Sequence, residues 1–134
     1  MSLADELSAW LRKVDQPLIV VLGPTASGKT AYSVHLAHAF VEAGRGAEIV
    51  NADSRQLYRF LDIGTAKIMP EAMQGIPHHL LDVLDPKEEV TAAWYKERAV
   101  QSIDGILERG KLPMLVGGSM LYISAIIDNL EFVQ

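Results

Sequence analysis

Gly23-Pro24-Thr25-Ala26-Ser27-Gly28-Lys29-Thr30 fills every fixed position of the phosphate-binding pattern G-x-x-x-x-G-K-[ST]. A loop of this kind turns its backbone N–H groups toward an anion, and the helix after it brings the positive end of its dipole to the same point. Lys29 adds a full positive charge, and Thr30 offers a hydroxyl to a Mg²⁺ ion bridging phosphates. Both flanks agree with this reading. Pro17-Leu18-Ile19-Val20-Val21-Leu22 is a short apolar run rich in β-branched residues, and Ala31–Val41 has helical spacing. Gly23, Pro24, Thr25, Ala26, Ser27, Gly28, Lys29 and Thr30 are therefore expected to form a diphosphate- or nucleotide-binding loop between a strand and a helix.

Outward from the loop, strands and helices alternate. Ala43-Gly44-Arg45-Gly46 ends the first helix, and Ala47-Glu48-Ile49-Val50 predicts a second strand leading to Asn51-Ala52-Asp53. The polar stretch Asp53–Gly75, broken by Gly64, Pro70 and Gly75, predicts a short helix plus loop, and His79–Val83 a third strand. Thr91 is placed to cap a long helix, Ala92–Arg109, whose Trp94, Tyr95, Ala99, Ile103, Ile106 and Leu107 make one broad apolar face. Gly110 stops it; Leu112–Val116 predicts a fourth strand, Gly117-Gly118 a turn, and Ser119–Asn129 a last helix. At the start, Leu3, Leu7, Trp10 and Leu11 give Met1–Lys13 the pattern of a short amphipathic helix. The expected fold is α/β: a P-loop NTPase-like parallel sheet with helices on both faces, incomplete at its C-terminal side. Its ligands should sit at the carboxyl ends of the strands, where Gly23–Thr30, Asp53 and Gly117–Ser119 converge.

Composition narrows the classes. At 134 residues the chain is expected to be one domain, with 49% hydrophobic and 22% charged residues, as in a globular protein. No apolar run approaches the ~20 residues that span a bilayer, so no membrane partner is expected. Met1–Lys13 carries Asp5 and Glu6 and has no basic and apolar leader pattern, and the chain has no cysteine, so a cytoplasmic location is the expectation. A net charge of −5 means that an RNA partner would need basic surface beyond what these residues supply.

Three further segments carry chemistry. Asn51-Ala52-Asp53-Ser54-Arg55-Gln56-Leu57-Tyr58 puts a carboxylate at a strand end, with Asp62-Ile63-Gly64-Thr65-Ala66-Lys67 after it. Pro77-His78-His79-Leu80-Leu81-Asp82 comes next, and Leu115-Val116-Gly117-Gly118-Ser119-Met120-Leu121-Tyr122 closes the set. With the phosphate loop, these four ordered motifs resemble the N-terminal half of the tRNA dimethylallyltransferase (tRNA isopentenyltransferase) family, over Leu18 to Phe132. The resemblance implies transfer of a dimethylallyl group from dimethylallyl diphosphate to the exocyclic amine of the adenosine 3′ of the anticodon in tRNA. It implies Asp53 as general base and Thr25 as the hydroxyl assisting the leaving group. Asp53, Ser54, Arg55, Gln56 and Ser119 would contact tRNA at the anticodon stem-loop, with Mg²⁺ on Thr30. Ser119 stands where the family usually has threonine and keeps the hydroxyl. In the family a second half comes after this one, with a helical tRNA-binding insertion, so 1–134 is expected to be the truncated P-loop catalytic core. The intact enzyme is expected to be a monomer and the fragment to self-associate.

Other readings use the same residues. A small-molecule or nucleotide kinase would place ATP on the loop, although no arginine-rich lid is visible; a non-catalytic module would bind diphosphate without turnover. Prenylation of free adenine nucleotides is a close enzymatic variant. Asp53 could instead be a helix cap or support the metal. His78-His79 lie on opposite strand faces with no third ligand nearby, which favours packing over zinc. Trp94, Tyr95 and Tyr122 are read as core, while Tyr58 could stack on a base. Arg55 and Lys67 could meet phosphate or solvent. Leu112–Val116 is apolar enough for a central strand, and it would become an exposed edge if its neighbour lay outside the chain.

Overall fold

In the computed structural model, the described residues are 5–6, 9–10, 12–13, 17–22, 29–58, 70–85 and 87–127. The phosphate-loop residues 23–28, with Thr25, lie outside them, as does 59–69 with Lys67. The elements run β1 (Ile19–Leu22), α1 (Lys29–Glu42), β2 (Ala47–Asn51), a 3₁₀ turn (Ser54–Leu57), α2 (Pro70–Met73), β3 (His78–His79), α3 (Ala92–Glu108), β4 (Leu112–Gly117) and α4 (Met120–Ile127). The four strands form one sheet in the order β1-β4-β2-β3 with every pairing parallel.

Parallel strands need covering on both faces, and two apolar clusters supply it. On one face Val34, Ala37 and Phe40 of α1, at helical spacing, pack on Val21, Ile49, Met114 and Val116. On the other, Tyr95, Ala99, Ile103 and Ile106 of α3 join Ile123 and Ile126 of α4 over Val50 and Leu115. Trp10 leans on Phe40, ring centroids 6.2 Å apart, which ties the N-terminal segment to the first face. Thr91 does cap α3: its side chain accepts a hydrogen bond from the Trp94 N–H. Gly110, at φ +74°, takes the left-handed position that lets the chain leave that helix.

One expectation holds and one changes. Leu112–Val116 is the central strand its apolar run suggested, and the condition that would have made it an edge is not met: β4 lies between β1 and β2, and all six of its residues are buried. Its apolar residues face both layers, as a doubly paired strand requires. Among the described residues, the strands with a single partner are β1 and β3. The third strand is shorter than His79–Val83, because Leu80 (φ +63°) and Asp82 (φ +54°) bend the chain away after His79. Beyond the bend the chain is held differently. The Asp82 N–H bonds to the Gln56 carbonyl, the Val83 and Leu84 N–H groups bond to the Leu57 carbonyl, and Leu84 bridges Tyr58.

Candidate functional site

Register brings the strand ends to one rim. Leu22 pairs with Gly117 and Asn51 with Val116, so the carboxyl ends of β1, β2 and β4 lie side by side. The loop 23–28 runs between Leu22 and Lys29, where α1 begins.

Asp53 comes just after β2 and is buried. Its backbone is pinned from several directions: the Asp53 N–H donates to Asn51 Oδ1 (3.0 Å), and its carbonyl accepts from Asn51 Nδ2 (2.9 Å) and from the Gln56 N–H (3.1 Å). Ser54, next in the chain, donates its N–H to Ser119 Oγ (3.0 Å), while the Ser119 N–H donates to the Ala52 carbonyl (3.1 Å). Three of the expected RNA-contacting positions, Asp53, Ser54 and Ser119, thus meet in one small cluster. Gln56 is buried beside them, only 4% exposed. Arg55 occupies the 3₁₀ turn. Lys29 and Thr30 are the first two residues of α1.

Contact between the two turns depends on Gly117. A Cβ built there would lie 2.2 Å from the Ala52 carbonyl carbon and 2.3 Å from its oxygen, so only glycine lets β4 pass this close. The backbone requirement expected of Gly117-Gly118 is, at Gly117, this approach.

Asn51 and Tyr95 are the residues whose part in the site the sequence did not reveal. The Tyr95 hydroxyl donates to the Asn51 carbonyl at 2.7 Å, and its ring stacks on Tyr122 with centroids 4.3 Å apart. Burial, then the neighbouring Tyr122, holds the Tyr95 phenol well above its ordinary range, so it remains a donor. An Asn two residues before Asp is a local turn signal that could have been found. The Tyr95 contact crosses 44 positions and leaves no such trace. Tyr95 and Tyr122 are core residues, as expected, and Trp94 packs against the same cluster with the Arg98 guanidinium 5.5 Å from its ring centroid. Tyr58 is partly buried against it.

The histidine pair forms β3, beside β2. His78 and His79 pair with Ile49 and Val50 and so face opposite sides of the sheet. His79 Nε2 meets Glu48 Oε1 at 2.7 Å, and His78 Nδ1 lies 2.8 Å from the Ile76 carbonyl. Burial pushes the His78 imidazole below its ordinary range against the opposing effect of the Ile76 bond. Among the described residues no three His, Cys, Asp or Glu side chains gather to hold a metal ion, and no helix is long and apolar enough to cross a membrane.

A model of the IPP transferase family matches residues 56–134, more than half of the chain. The chain belongs to the IPP transferase family. It is 52% identical over 116 residues to a tRNA dimethylallyltransferase of Clavibacter sepedonicus, covering 87% of this chain and 38% of that protein. Against the tRNA dimethylallyltransferase of Symbiobacterium thermophilum the identity is 53%, over 87% of this chain and 35% of the relative. Among solved structures, the full-length tRNA isopentenylpyrophosphate transferase of Bacillus halodurans superposes with a TM-score of 0.78 at 45% identity, covering 89% of this chain and 38% of that one. A eukaryotic dimethylallyltransferase acting on tRNA gives a TM-score of 0.76 at 32% identity, over 86% of this chain and 27% of that one. This family member therefore has the expected P-loop NTPase-like α/β fold and spans little more than a third of the length of the curated relatives it matches.

Proposed function

We propose that the polypeptide containing this chain transfers a dimethylallyl group from dimethylallyl diphosphate to the exocyclic amine of the adenosine 3′ of the anticodon in tRNA. One observation carries the reading beyond family membership. The carboxylate-bearing turn at Asp53 and the Ser119 turn are bonded together at the same sheet rim as Leu22, the residue that precedes the phosphate-loop sequence.

The amine nitrogen attacks C1 of the dimethylallyl group, the C–O bond to diphosphate breaks, and diphosphate leaves with the electron pair. Asp53 takes the proton that the amine loses. Ser27, Gly28, Lys29 and Thr30, with the rest of the loop Gly23-Pro24-Thr25-Ala26, hold the departing diphosphate, and Thr25 donates a hydrogen bond beside the breaking bond. Ser54 and Ser119, bonded to each other beside Asp53, and Arg55 of the 3₁₀ turn would contact the RNA; Gln56, being buried, would reach only a base drawn into the site. Mg²⁺ bound to diphosphate needs only one or two protein oxygens, and the Thr30 hydroxyl would supply one. When bound, it neutralises charge on the leaving group. Location in the cytoplasm agrees with a tRNA substrate.

Radiolabel transfer from dimethylallyl diphosphate to tRNA by the intact polypeptide tests the activity. Calorimetric titration with ATP and with dimethylallyl diphosphate, each with Mg²⁺, separates it from a kinase, since a strong preference for ATP overturns it. Label passing to AMP and not to tRNA would make the acceptor a free nucleotide. Asp53→Ala is expected to lower turnover by about 10²–10⁴-fold, and near-normal turnover would remove Asp53 from the role of base.

A further inference from the structure

We propose that Asn51 is the positioning residue for Asp53, its side-chain amide setting where the carboxylate stands at the rim. The inference rests on the reading of Asp53 as the base. Regular pairing ends at this point: Asn51 is the last residue of β2, the Ala52 N–H still reaches the Val116 carbonyl at 2.8 Å, and the 3₁₀ turn starts at Ser54. Asp53 lies in the gap, where no ladder holds it.

The Asn51 amide fills that gap with three hydrogen bonds. Oδ1 accepts the Asp53 N–H at 3.0 Å, and Nδ2 donates to the Asp53 carbonyl at 2.9 Å and to the Leu80 carbonyl at 3.0 Å. One N–H and two carbonyls as partners fix which end of the amide is oxygen. Asn51 is only 4% exposed, so water does not compete for these bonds. Its own carbonyl is held by the buried Tyr95 hydroxyl. Both polar ends of the Asp53 peptide framework are thereby tied to one side chain, and that side chain is tied to α3 and to the bend after β3.

The chemistry asks for this rigidity. A general base must stand within hydrogen-bond reach of the proton it takes, and a misplacement of about 1 Å can cost on the order of 10²-fold in rate. No other small side chain replaces the clamp. Aspartate would set a negative charge against two carbonyl oxygens, alanine makes none of the bonds, and serine, with one acceptor oxygen and a single donor, cannot serve both carbonyls.

The test compares wild type, Asn51→Ala and Asn51→Ser in the intact polypeptide. The readouts are kcat and KM with dimethylallyl diphosphate and tRNA, thermal midpoint, and hydrogen exchange at the Asp53 amide. Asn51→Ala is expected to lower kcat by about 10–10²-fold with KM for dimethylallyl diphosphate within about twofold, to expose the Asp53 amide, and to regain part of kcat as Asn51→Ser. Unchanged kcat overturns the proposal. So does a fall in kcat matched by KM and thermal midpoint, the mark of a merely structural residue. Should Asn51→Ala not fold, Asn51→Ser carries the same comparison. If wild type transfers no dimethylallyl group to tRNA, the functional reading fails by itself, and the exchange data still judge the clamp. An Asp53 amide protected in wild type and exposed in the variant supports it; equal exchange overturns it.

Discussion

Gly117 and Ala52 show how little room the rim leaves. The missing Cβ at Gly117 would fall against backbone atoms, which cannot swing aside as the end of a flexible side chain can. Relief would require β4 and the turn after β2 to separate, and the Ser54-to-Ser119 and Ser119-to-Ala52 hydrogen bonds span that join. Gly117→Ala is therefore expected to cost at least about 1–3 kcal/mol, the range for overpacking, measured as a shift in urea midpoint. An unchanged midpoint would mean that the two turns part freely. The identities of these residues were legible in advance, since Asp at a strand end and Gly-Gly before a helix are patterns of chemistry and turns. Their mutual contact was not. Residues 52 and 117 come together through strand pairing, and nothing in either short segment names the other.

Glu48 joins three elements on the side of the sheet away from α1. Arg109, at the end of α3, donates to its Oε1 at 2.6 Å, and His79 of β3 meets the same oxygen at 2.7 Å. Burial would raise the Glu48 carboxyl, but hydrogen bonds and charge from His79 and Arg109 outweigh it and hold the group below its ordinary range. Because the folded value is lowered, Glu48 contributes stability in full above the unfolded value of about 4.3, and loses it as pH falls through the lower folded value. Glu48→Gln should lower the urea midpoint at pH 7 by the equivalent of about 1.5 kcal/mol, the low end for bonds to a charged group because Arg109 is half exposed. It should also flatten the loss of stability between about pH 5 and pH 3; parallel pH profiles for the two proteins would deny the group this role. Element types were readable from periodicity: the strands expected at 17–22, 47–50 and 112–116 and the helices expected at 31–41, 92–109 and 119–129 exist, with ends shifted by one or two residues wherever described. The third strand is the exception, because its end is set by left-handed Leu80 and Asp82, residues whose types do not announce that conformation.

For the whole molecule the decisive feature is that two cores share one sheet. Phe40 and Met114 belong to one, Tyr95 and Leu115 to the other, and β4 contributes alternate residues to both. Trp10 packs against the first and Trp94 against the second, so single-tryptophan variants report each core separately. Phe40→Ala is expected to cost about 3–5 kcal/mol and to move both signals to the same lower midpoint. Two separate transitions would show that the faces unfold independently. By itself the sequence determined the chemistry offered and the local form of most segments. A phosphate loop, a strand-end carboxylate and a Gly-Gly-Ser turn are short patterns, and apolar spacing along a helix or strand is a local property. Only the tertiary structure decided the strand order, which made Leu112–Gly117 central. It also decided the clamp of Asn51 on Asp53 and Leu80, and the reach of Tyr95 across 44 positions to the end of β2. Those facts belong to pairs of distant segments, and their partners are chosen when apolar faces are buried together.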